Sequence, residues 1–214
     1  AEHPHLLVLG DSGCGKTSPL RSICRSLAQA NDATTLRILA VDYRRTLLGD
    51  IPSDRLAGHA STAEQATTMV AELATYLRAR RPGPDTTRRE LAARSWWTGP
   101  EIVVVVDDYD LVVTPHGNPL TDLLELLSQA RDVGLHLVVA RRCGGSARAL
   151  YEPVLARLKD LASPGLVMSG SREEGVLLGS VRPSELPPGR GVLVGRGTAT
   201  LVQTALCETA PDEQ

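Results

Sequence analysis

The chain has 214 residues, of which 42% are hydrophobic and 22% charged, and its formal net charge at pH 7 is −2. These values are typical of a soluble globular domain with a sizeable core, and they exclude a domain that is basic over its whole surface and binds nucleic acid. No apolar run is long enough to span a membrane, and no signal peptide is expected. The four cysteines are scattered, which predicts neither a zinc site nor a disulfide framework and indicates a reducing compartment.

The first half of the chain alternates between predicted strands and helices. Hydrophobic periodicity predicts a strand at residues 5–10, a helix at 16–30, a strand at 36–41 and a helix at 61–80. Ser61 with Glu64 three residues later forms a capping-box pattern, which marks the start of the second helix. Apolar residues recur at helical spacing on one face of that helix: Val70, Leu73, Tyr76 and Leu77.

A polar segment at residues 81–100 follows this helix. Its prolines and glycines predict an insertion or mobile loop, with a short helix at 88–94. It ends with the tandem Trp96 and Trp97, for which a buried edge of the sheet is the favoured position. A contact with a neighbouring domain or a nucleobase is the alternative for these two indoles.

The second half resumes the alternation with a strand at residues 102–106, whose unbroken β-branched character predicts helices on both of its faces. The later elements are a helix at 118–132, a strand at 135–140, a helix at 147–162, a strand at 165–169 and a hairpin of 191–194 with 199–205. The pattern predicts an α/β fold with a mostly parallel sheet, helices on both faces and a C-terminal β-hairpin. We expect one domain over residues 1–207 and a disordered tail at 208–214.

The turn after the first strand, GDSGCGKTS, matches the phosphate-binding pattern G-x-x-x-x-G-K-[ST] at every fixed position. Its glycines permit a loop whose N–H groups point inward at an anion, and the following helix adds its positive N-terminal end. Lys16 is expected to reach the β- and γ-phosphates, and Thr17 to offer its hydroxyl to Mg²⁺. The predicted nucleotide-binding residues of this turn are Gly10, Asp11, Ser12, Gly13, Cys14, Gly15, Lys16, Thr17 and Ser18.

Two features of this loop, its function and the role of Cys14, each have two interpretations. A glycine-rich turn with an incidental Lys-Thr is disfavoured, because an apolar strand precedes the turn and a helix follows it. Cys14 is interpreted as a small spacer, while an oxidation-sensitive thiol at the helix N-terminus is the less favoured alternative.

The strand at residues 102–106 runs into a pair of aspartates. Asp107 stands at the carboxyl end of a parallel strand, where we expect it to share Mg²⁺ with Thr17 as a Walker B residue. Asp108 stands where P-loop ATPases usually place a glutamate that polarises the attacking water. Aspartate is one methylene shorter, and a carboxylate displaced by about 1 Å can reduce the rate on the order of a hundredfold. The predicted catalytic residues are therefore Lys16, Asp107 and Asp108, with slow hydrolysis; a solvated turn is the alternative for Asp108 and Asp110.

Beyond the phosphate loop, the chain resembles the FtsK/SpoIIIE-type P-loop ATPases over nearly its whole length. It is most similar to the third ATPase domain of the EccC family, the membrane-bound motors of type VII (ESX) secretion. The resemblance is carried by the loop, by SWWTGPEIVVVVDDYDLV, and by the segments at residues 118–158, 165–179 and 187–194. It implies a RecA/FtsK-like fold that binds ATP with Mg²⁺, in a domain at the cytoplasmic face of the cell membrane.

The resemblance also implies partners. These are adjacent ATPase domains of the same polypeptide, a membrane anchor in an upstream region, and the C-terminal signal of small helical WXG-type substrates entering an apolar pocket. The stretch GVLLG near the C-terminus is a candidate lining for that pocket, with burial in the core as the favoured interpretation. No nucleic-acid partner is expected.

This sequence departs from the active translocases after the strand at 135–140. They carry a polar sensor there, often Thr-Gln, whereas this chain has Ala140, Arg141 and Arg142. Arg141 is the favoured arginine for a nucleotide contact; surface ion pairs with Glu152 and nearby acids are the alternative for Arg141, Arg142 and Arg148. A DNA-translocating ATPase of the FtsK type is the alternative function, disfavoured by the net charge, and a metabolic P-loop kinase is a third.

Overall fold

The structure of the protein, a computed structural model, describes residues 3–115 and 117–206. The chain forms an eight-stranded sheet with the strand order β3-β2-β4-β5-β1-β6-β7-β8. The strands are β1 (His5–Leu9), β2 (Leu36–Val41), β3 (Leu56–Ala60), β4 (Glu101–Val106), β5 (Leu135–Arg141), β6 (Gly165–Met168), β7 (Arg190–Gly195) and β8 (Thr198–Gln203). The first six are parallel, and β7 and β8 add an antiparallel hairpin at one edge. The predicted fold class is confirmed.

The register of the parallel strands brings the loops of interest to one edge of the sheet. Val41 at the end of β2 pairs with Val106 at the end of β4, so the residues that follow both strands are neighbours. Leu9 at the end of β1 pairs with Arg141 at the end of β5. The strand carrying the phosphate loop is therefore separated from the strand carrying the aspartates by β5 alone.

Helices cover both faces of the sheet. They are α1 (Thr17–Ala30), α2 (Ala63–Arg78), α3 (Arg88–Ala93), α4 (Tyr109–Val112), α5 (Leu124–Leu127), α6 (Ala130–Val133), α7 (Ser146–Ala149) and α8 (Pro153–Asp160), with 3-10 turns at Pro119–Leu123 and Arg172–Glu174. None of the helices in the described part of the chain has the length and apolar character needed to cross a membrane.

Each face of the sheet has its own apolar cluster. On one face, Leu20 and Cys24 of α1 pack with strand residues such as Val105. On the other face, the strands pack against α2, α5 and α8, whose inward residues include Val70 and Leu126. Alternate residues of the buried strands serve alternate faces, which explains why β4 is apolar without interruption.

One strand was absent from the sequence prediction. The segment LAGHA forms β3 beside β2, although its composition is weak in β-branched residues. Its pairing is set by the tertiary contact with β2 rather than by local propensity. Just beyond it, α2 begins after Thr62, whose side chain accepts the N–H of Gln65, so Thr62 and not Ser61 is the cap.

Two predicted helices are interrupted. The segment predicted at 118–132 is a 3-10 turn followed by α5 and α6, with non-helical backbone at Gln129. The segment predicted at 147–162 divides into α7 and α8, because Pro153 cannot continue a helix and instead starts one. Glu152 caps α8 by accepting the N–H groups of Val154 and Leu155.

The polar insertion is fastened to the body of the domain near its end. The indole N–H of Trp96 donates to the carbonyl of Arg80, and that of Trp97 donates to the carbonyl of Asp132. The buried guanidinium of Arg80 lies 4.4 Å from the ring centroid of Tyr76 and 4.0 Å from that of Trp97. Both indoles are half-buried at the edge of the fold, beside the turn that leads into β5. The predicted tail at 208–214 lies outside the described residues.

Candidate functional site

The phosphate-loop segment joins β1 to α1 at the carboxyl edge of the sheet. Gly13 and Gly15 have φ angles of 78° and 91°, a region in which side chains are strained. Gly10 is needed for a different reason, since a Cβ there would lie 2.5 Å from Cys14 Sγ. The glycines therefore give the loop its shape through both backbone freedom and close packing.

Backbone hydrogen bonds hold both sides of this loop. The Gly10 N–H donates to the carbonyl of Arg141 at 3.1 Å, and the Asp11 N–H donates to that of Ser169 at 2.8 Å. The Cys14 carbonyl accepts the N–H of Gly189, from the turn before β7, at 2.8 Å. The loop is thus fastened to β5, to the end of β6 and to the C-terminal hairpin.

Several donors of the loop are left for a ligand. Within the described residues, the N–H groups of Gly13 and Gly15 donate to no backbone acceptor, and that of Lys16 is directed only at the weak acceptor Sγ of Cys14. Lys16 is only 7% exposed, and its Nζ donates to the carbonyl of Asp11 at 3.2 Å, so the ammonium is folded over the loop. Unpaired amides beside a lysine at the start of a helix are suited to an anion.

Thr17 and Asp107 are brought into direct contact across 90 residues of sequence. The Thr17 hydroxyl donates to Asp107 Oδ2 at 2.8 Å, and the Asp107 carboxylate is buried. A hydroxyl and a carboxylate oxygen beside the phosphate loop form the donor set that Mg²⁺ takes together with nucleotide phosphates. The residues present therefore fit a Mg²⁺–nucleotide complex.

Asp108 lies next to this pair in a strained backbone conformation. Its φ and ψ angles are 47° and 54°, and its N–H donates to Asp107 Oδ1 at 2.9 Å. Burial and then the neighbouring Asp107 raise the pKa of the Asp108 carboxyl above its ordinary value. The Arg44 side chain forms an ion pair with Asp108 at 3.2 Å. Asp108 is therefore an ion-paired, mostly buried group and not a fully solvated turn residue.

The loop after β2 is part of the site, and the sequence analysis did not identify it. The Thr46 hydroxyl lies 2.8 Å from Asp107 Oδ2 and 3.2 Å from Asp42 Oδ1, so it bridges two buried carboxylates. Arg44 of the same loop contacts Asp108. The pairing of β2 with β4 is the signal that identifies this loop, since parallel neighbours end at the same edge.

The arginines after β5 have contacts of different kinds. The Arg141 guanidinium donates to the Arg142 carbonyl and to Ser146 Oγ, each at 2.9 Å, so in this structure its backbone and not its side chain contacts the phosphate loop. Arg142 pairs with Asp110 at 2.6 Å, and Arg148 is exposed.

The alternative of ion pairs between these arginines and Glu152 is not found among the described residues. Glu152 accepts hydrogen bonds from the Tyr109 hydroxyl at 2.6 Å and from Asn118 Nδ2 at 2.7 Å, and it caps α8. Its carboxylate ties the short helix after the aspartates to α8, because Tyr109 directly follows Asp108. Glu152 is thus a structural link inside the fold.

The thiol of Cys14 is buried against the loop. Burial raises its pKa above the ordinary value, which disfavours the reactive thiolate. This supports the interpretation of Cys14 as a small residue that fills the space beside Gly10.

A second concavity lies at the opposite edge of the sheet, between α2 and the starts of β2 and β4. Its volume is about 630 Å³. The apolar groove is lined by side chains that include Leu39, Met69, Leu73, Tyr76, Pro100 and Ile102. Met69, Leu73 and Tyr76 follow helical spacing along α2, beside the buried stripe that contains Val70 and Leu77. By contrast, Leu177 and Leu178 of the stretch GVLLG are buried in the core, as favoured from the sequence.

Comparison with known proteins gives consistent matches. The model of the FtsK/SpoIIIE family matches residues 1–83. The ESX-4 secretion system protein EccC4 of Mycobacterium tuberculosis is 55% identical over 204 residues, which are 95% of this chain and 16% of that protein. The chain thus spans about a sixth of the length of this curated relative.

Solved structures agree with the sequence relatives. The cytoplasmic domain of the type VII secretion ATPase EccC from Thermomonospora curvata superposes with a TM-score of 0.93 at 47% identity, over 97% of this chain and 24% of that one. The same TM-score and identity hold for ATPases 2 and 3 of that EccC in complex with a signal sequence peptide, covering 97% of this chain and 37% of that one. The chain therefore belongs to the FtsK/SpoIIIE family and is an ATPase-type domain of the EccC proteins of type VII secretion systems.

Proposed function

We propose that this domain binds ATP with Mg²⁺ at the phosphate loop and hydrolyses it slowly. The observation that carries the proposal is the contact of Thr17 with Asp107 beside a loop in which the N–H groups of Gly13 and Gly15 donate to no backbone acceptor. The backbone N–H groups of Gly13, Gly15 and Lys16 bind the phosphate oxygens, and the Lys16 ammonium turns from the Asp11 carbonyl to the terminal phosphates.

The acidic residues have separate roles in this proposal. Thr17 and Asp107 hold Mg²⁺, which when bound neutralises the charge that develops on the phosphates. Asp108 accepts a hydrogen bond from the attacking water and orients it. Turnover is slow because Asp108 is shorter than glutamate by one methylene and is engaged by Arg44. The Arg141 guanidinium is proposed to reach the nucleotide only if it leaves Ser146.

Removal of the lysine tests nucleotide binding. We expect Lys16→Ala to weaken MgATP binding at least tenfold in isothermal titration, because a buried ammonium over the phosphates is lost. Lys159→Ala is the matched control, since Lys159 is exposed on α8 and is the only other lysine of the chain. Equal affinities of the two variants would refute the site.

The second part of the proposal concerns a peptide ligand. We infer that the apolar groove binds the C-terminal signal of a small helical secreted protein, as an amphipathic helix in a groove. Two observations support it: the groove has a stripe of large apolar side chains, and the related EccC from T. curvata was solved with a signal sequence peptide. In the cell, the domain would act beside further ATPase domains of one polypeptide, at the cytoplasmic face of the membrane to which an upstream region is anchored.

A groove variant tests this inference. We expect Leu73→Ala to weaken binding of a labelled signal peptide about tenfold in fluorescence anisotropy, since a buried leucine contributes about 1.5–3 kcal/mol. Leu91→Ala on α3 is the control, because Leu91 is exposed outside the groove. The inference fails if both variants bind the peptide as the unmodified chain does, or if the peptide does not bind at all.

A further inference from the structure

Arg44 is placed where it engages the proposed catalytic carboxylate. It follows β2, and its Nε lies 3.2 Å from Asp108 Oδ2. The two side chains differ in exposure: that of Arg44 is 62% exposed, whereas that of Asp108 is 17% exposed. Arg44 can therefore leave the pair for solvent without unpacking the core, while Asp108 stays in place.

The loop that carries Arg44 is anchored at both neighbouring elements. The Thr46 hydroxyl contacts Asp107 Oδ2 at 2.8 Å, and the Thr46 carbonyl accepts from Arg21 of α1 at 2.6 and 3.1 Å. At its base, Asp42 Oδ2 accepts the N–H of Leu47 at 2.7 Å. These bonds determine the path of the loop, so Arg44 meets Asp108 because of the loop's position and not through a chance pairing of two flexible surface chains.

The ion pair with Arg44 competes with the proposed role of Asp108, which is to orient the attacking water. A carboxylate that orients water needs a free oxygen lone pair directed at that water. Arg44 occupies Oδ2, and the Asp108 N–H bond to Asp107 Oδ1 restrains the rest of the residue. In this structure, the carboxylate is thus held toward the loop that follows β2.

We propose that Arg44 is a positioning residue that restrains Asp108, and that hydrolysis requires this ion pair to open. The inference rests on the proposed ATP hydrolysis and adds its regulation. Any contact that draws Arg44 away, such as an acidic group of an adjacent domain, would raise turnover without touching the nucleotide.

Turnover of matched variants tests the restraint. We expect Arg44→Gln to raise kcat for MgATP about twofold to fivefold, because fivefold corresponds to about 1 kcal/mol, the upper range for an exposed ion pair. The affinity for MgATP should change less than twofold. Arg45→Gln is the control, since it removes the same charge from the adjacent exposed position, and Arg44→Lys should keep turnover low.

A double variant separates restraint of Asp108 from other effects. In the Asp108→Asn background, Arg44→Gln should no longer raise kcat. In the nucleotide-free protein, Arg44→Gln should lower the urea midpoint only when Asp108 is present, which reports the pair without any turnover.

Specific results would overturn the inference. Unchanged, reduced or unmeasurable turnover in Arg44→Gln, or a rise that persists in the Asp108→Asn background, contradicts the restraint while leaving nucleotide binding intact. Loss of MgATP affinity in Arg44→Gln also contradicts it, because Arg44 would then be a nucleotide ligand. Failure of the unmodified chain to bind MgATP contradicts the proposed function itself.

Discussion

His5 shows how the fold sets the chemistry of a single residue. Its side chain is buried at the start of β1, where Nε2 lies 3.1 Å from the Leu127 carbonyl and Nδ1 accepts the N–H of Leu137 at 3.2 Å. These partners require a neutral ring with its proton on Nε2. Burial lowers the pKa of His5 from 6.5 to about 4, with a smaller contribution of the same sign from His136.

This shift predicts a pH dependence of stability. Between pH 6.5 and about 4, His5 is protonated in the unfolded chain but neutral in the folded chain. The free energy of unfolding therefore falls as the pH falls through this window. The loss at pH 5 is about 2 kcal/mol relative to pH 8. Urea unfolding at several pH values measures it, and His5→Gln should remove about this part of the slope. An unchanged slope in the variant would show that His5 is not its source.

At the scale of elements, the C-terminal hairpin supports the phosphate loop. The turn before β7 places the Gly189 N–H on the Cys14 carbonyl, while the Gly189 carbonyl accepts from Thr204 after β8. A Cβ at Gly15 would lie 3.2 Å from the Gly189 nitrogen, so the two segments are closely packed. The hairpin is therefore a structural support of the phosphate loop and more than an edge of the sheet.

Two glycines of this region provide a matched comparison. Gly189 and Gly197 have φ angles of 77° and 72°, but a Cβ at Gly189 would meet Gln203 at 2.6 Å, whereas one at Gly197 would meet nothing. We expect Gly197→Ala to cost about 1 kcal/mol of unfolding free energy from backbone strain alone. Gly189→Ala should lower the unfolding free energy by about 1 kcal/mol more than Gly197→Ala, because the added Cβ displaces Gln203 and strains roughly one hydrogen bond, that of the Gly189 N–H to the Cys14 carbonyl. Since that bond holds the phosphate loop, the same variant should weaken MgATP binding several-fold.

Denaturant titration and calorimetry of both glycine variants check this expectation. Equal stability and equal MgATP affinity of the two variants would mean that the hairpin does not support the loop.

At the scale of the whole molecule, the two candidate sites occupy opposite edges of one sheet. The phosphate loop and the aspartates follow the carboxyl ends of β1 and β4, while the groove lies at the starts of β2 and β4. A six-residue strand separates these edges by about 20 Å. Under the proposed function, the nucleotide and the peptide would therefore not compete for one surface, and communication between the two sites would have to pass through the sheet. That residues 1–207 form a single domain stays a prediction.

The sequence by itself determined the parts that depend on local chemistry. The glycine pattern with Lys16 and Thr17 needs only neighbours in sequence, and the apolar run before Asp107 already indicates a strand buried on both faces. The alternation of strands and helices was enough for the fold class, because parallel strands require crossovers. The one helix break with a local cause, at Pro153, was also readable and was missed.

Only the tertiary structure decided the rest, because it depends on which strands become neighbours. Strand β3 is weak in propensity and forms because β2 offers it a partner. The pairing of β2 with β4 brought Thr46 and Arg44 to the aspartates, and the hairpin brought Gly189 to the phosphate loop. These contacts join residues about 60 to 175 positions apart, a distance over which periodicity carries no information.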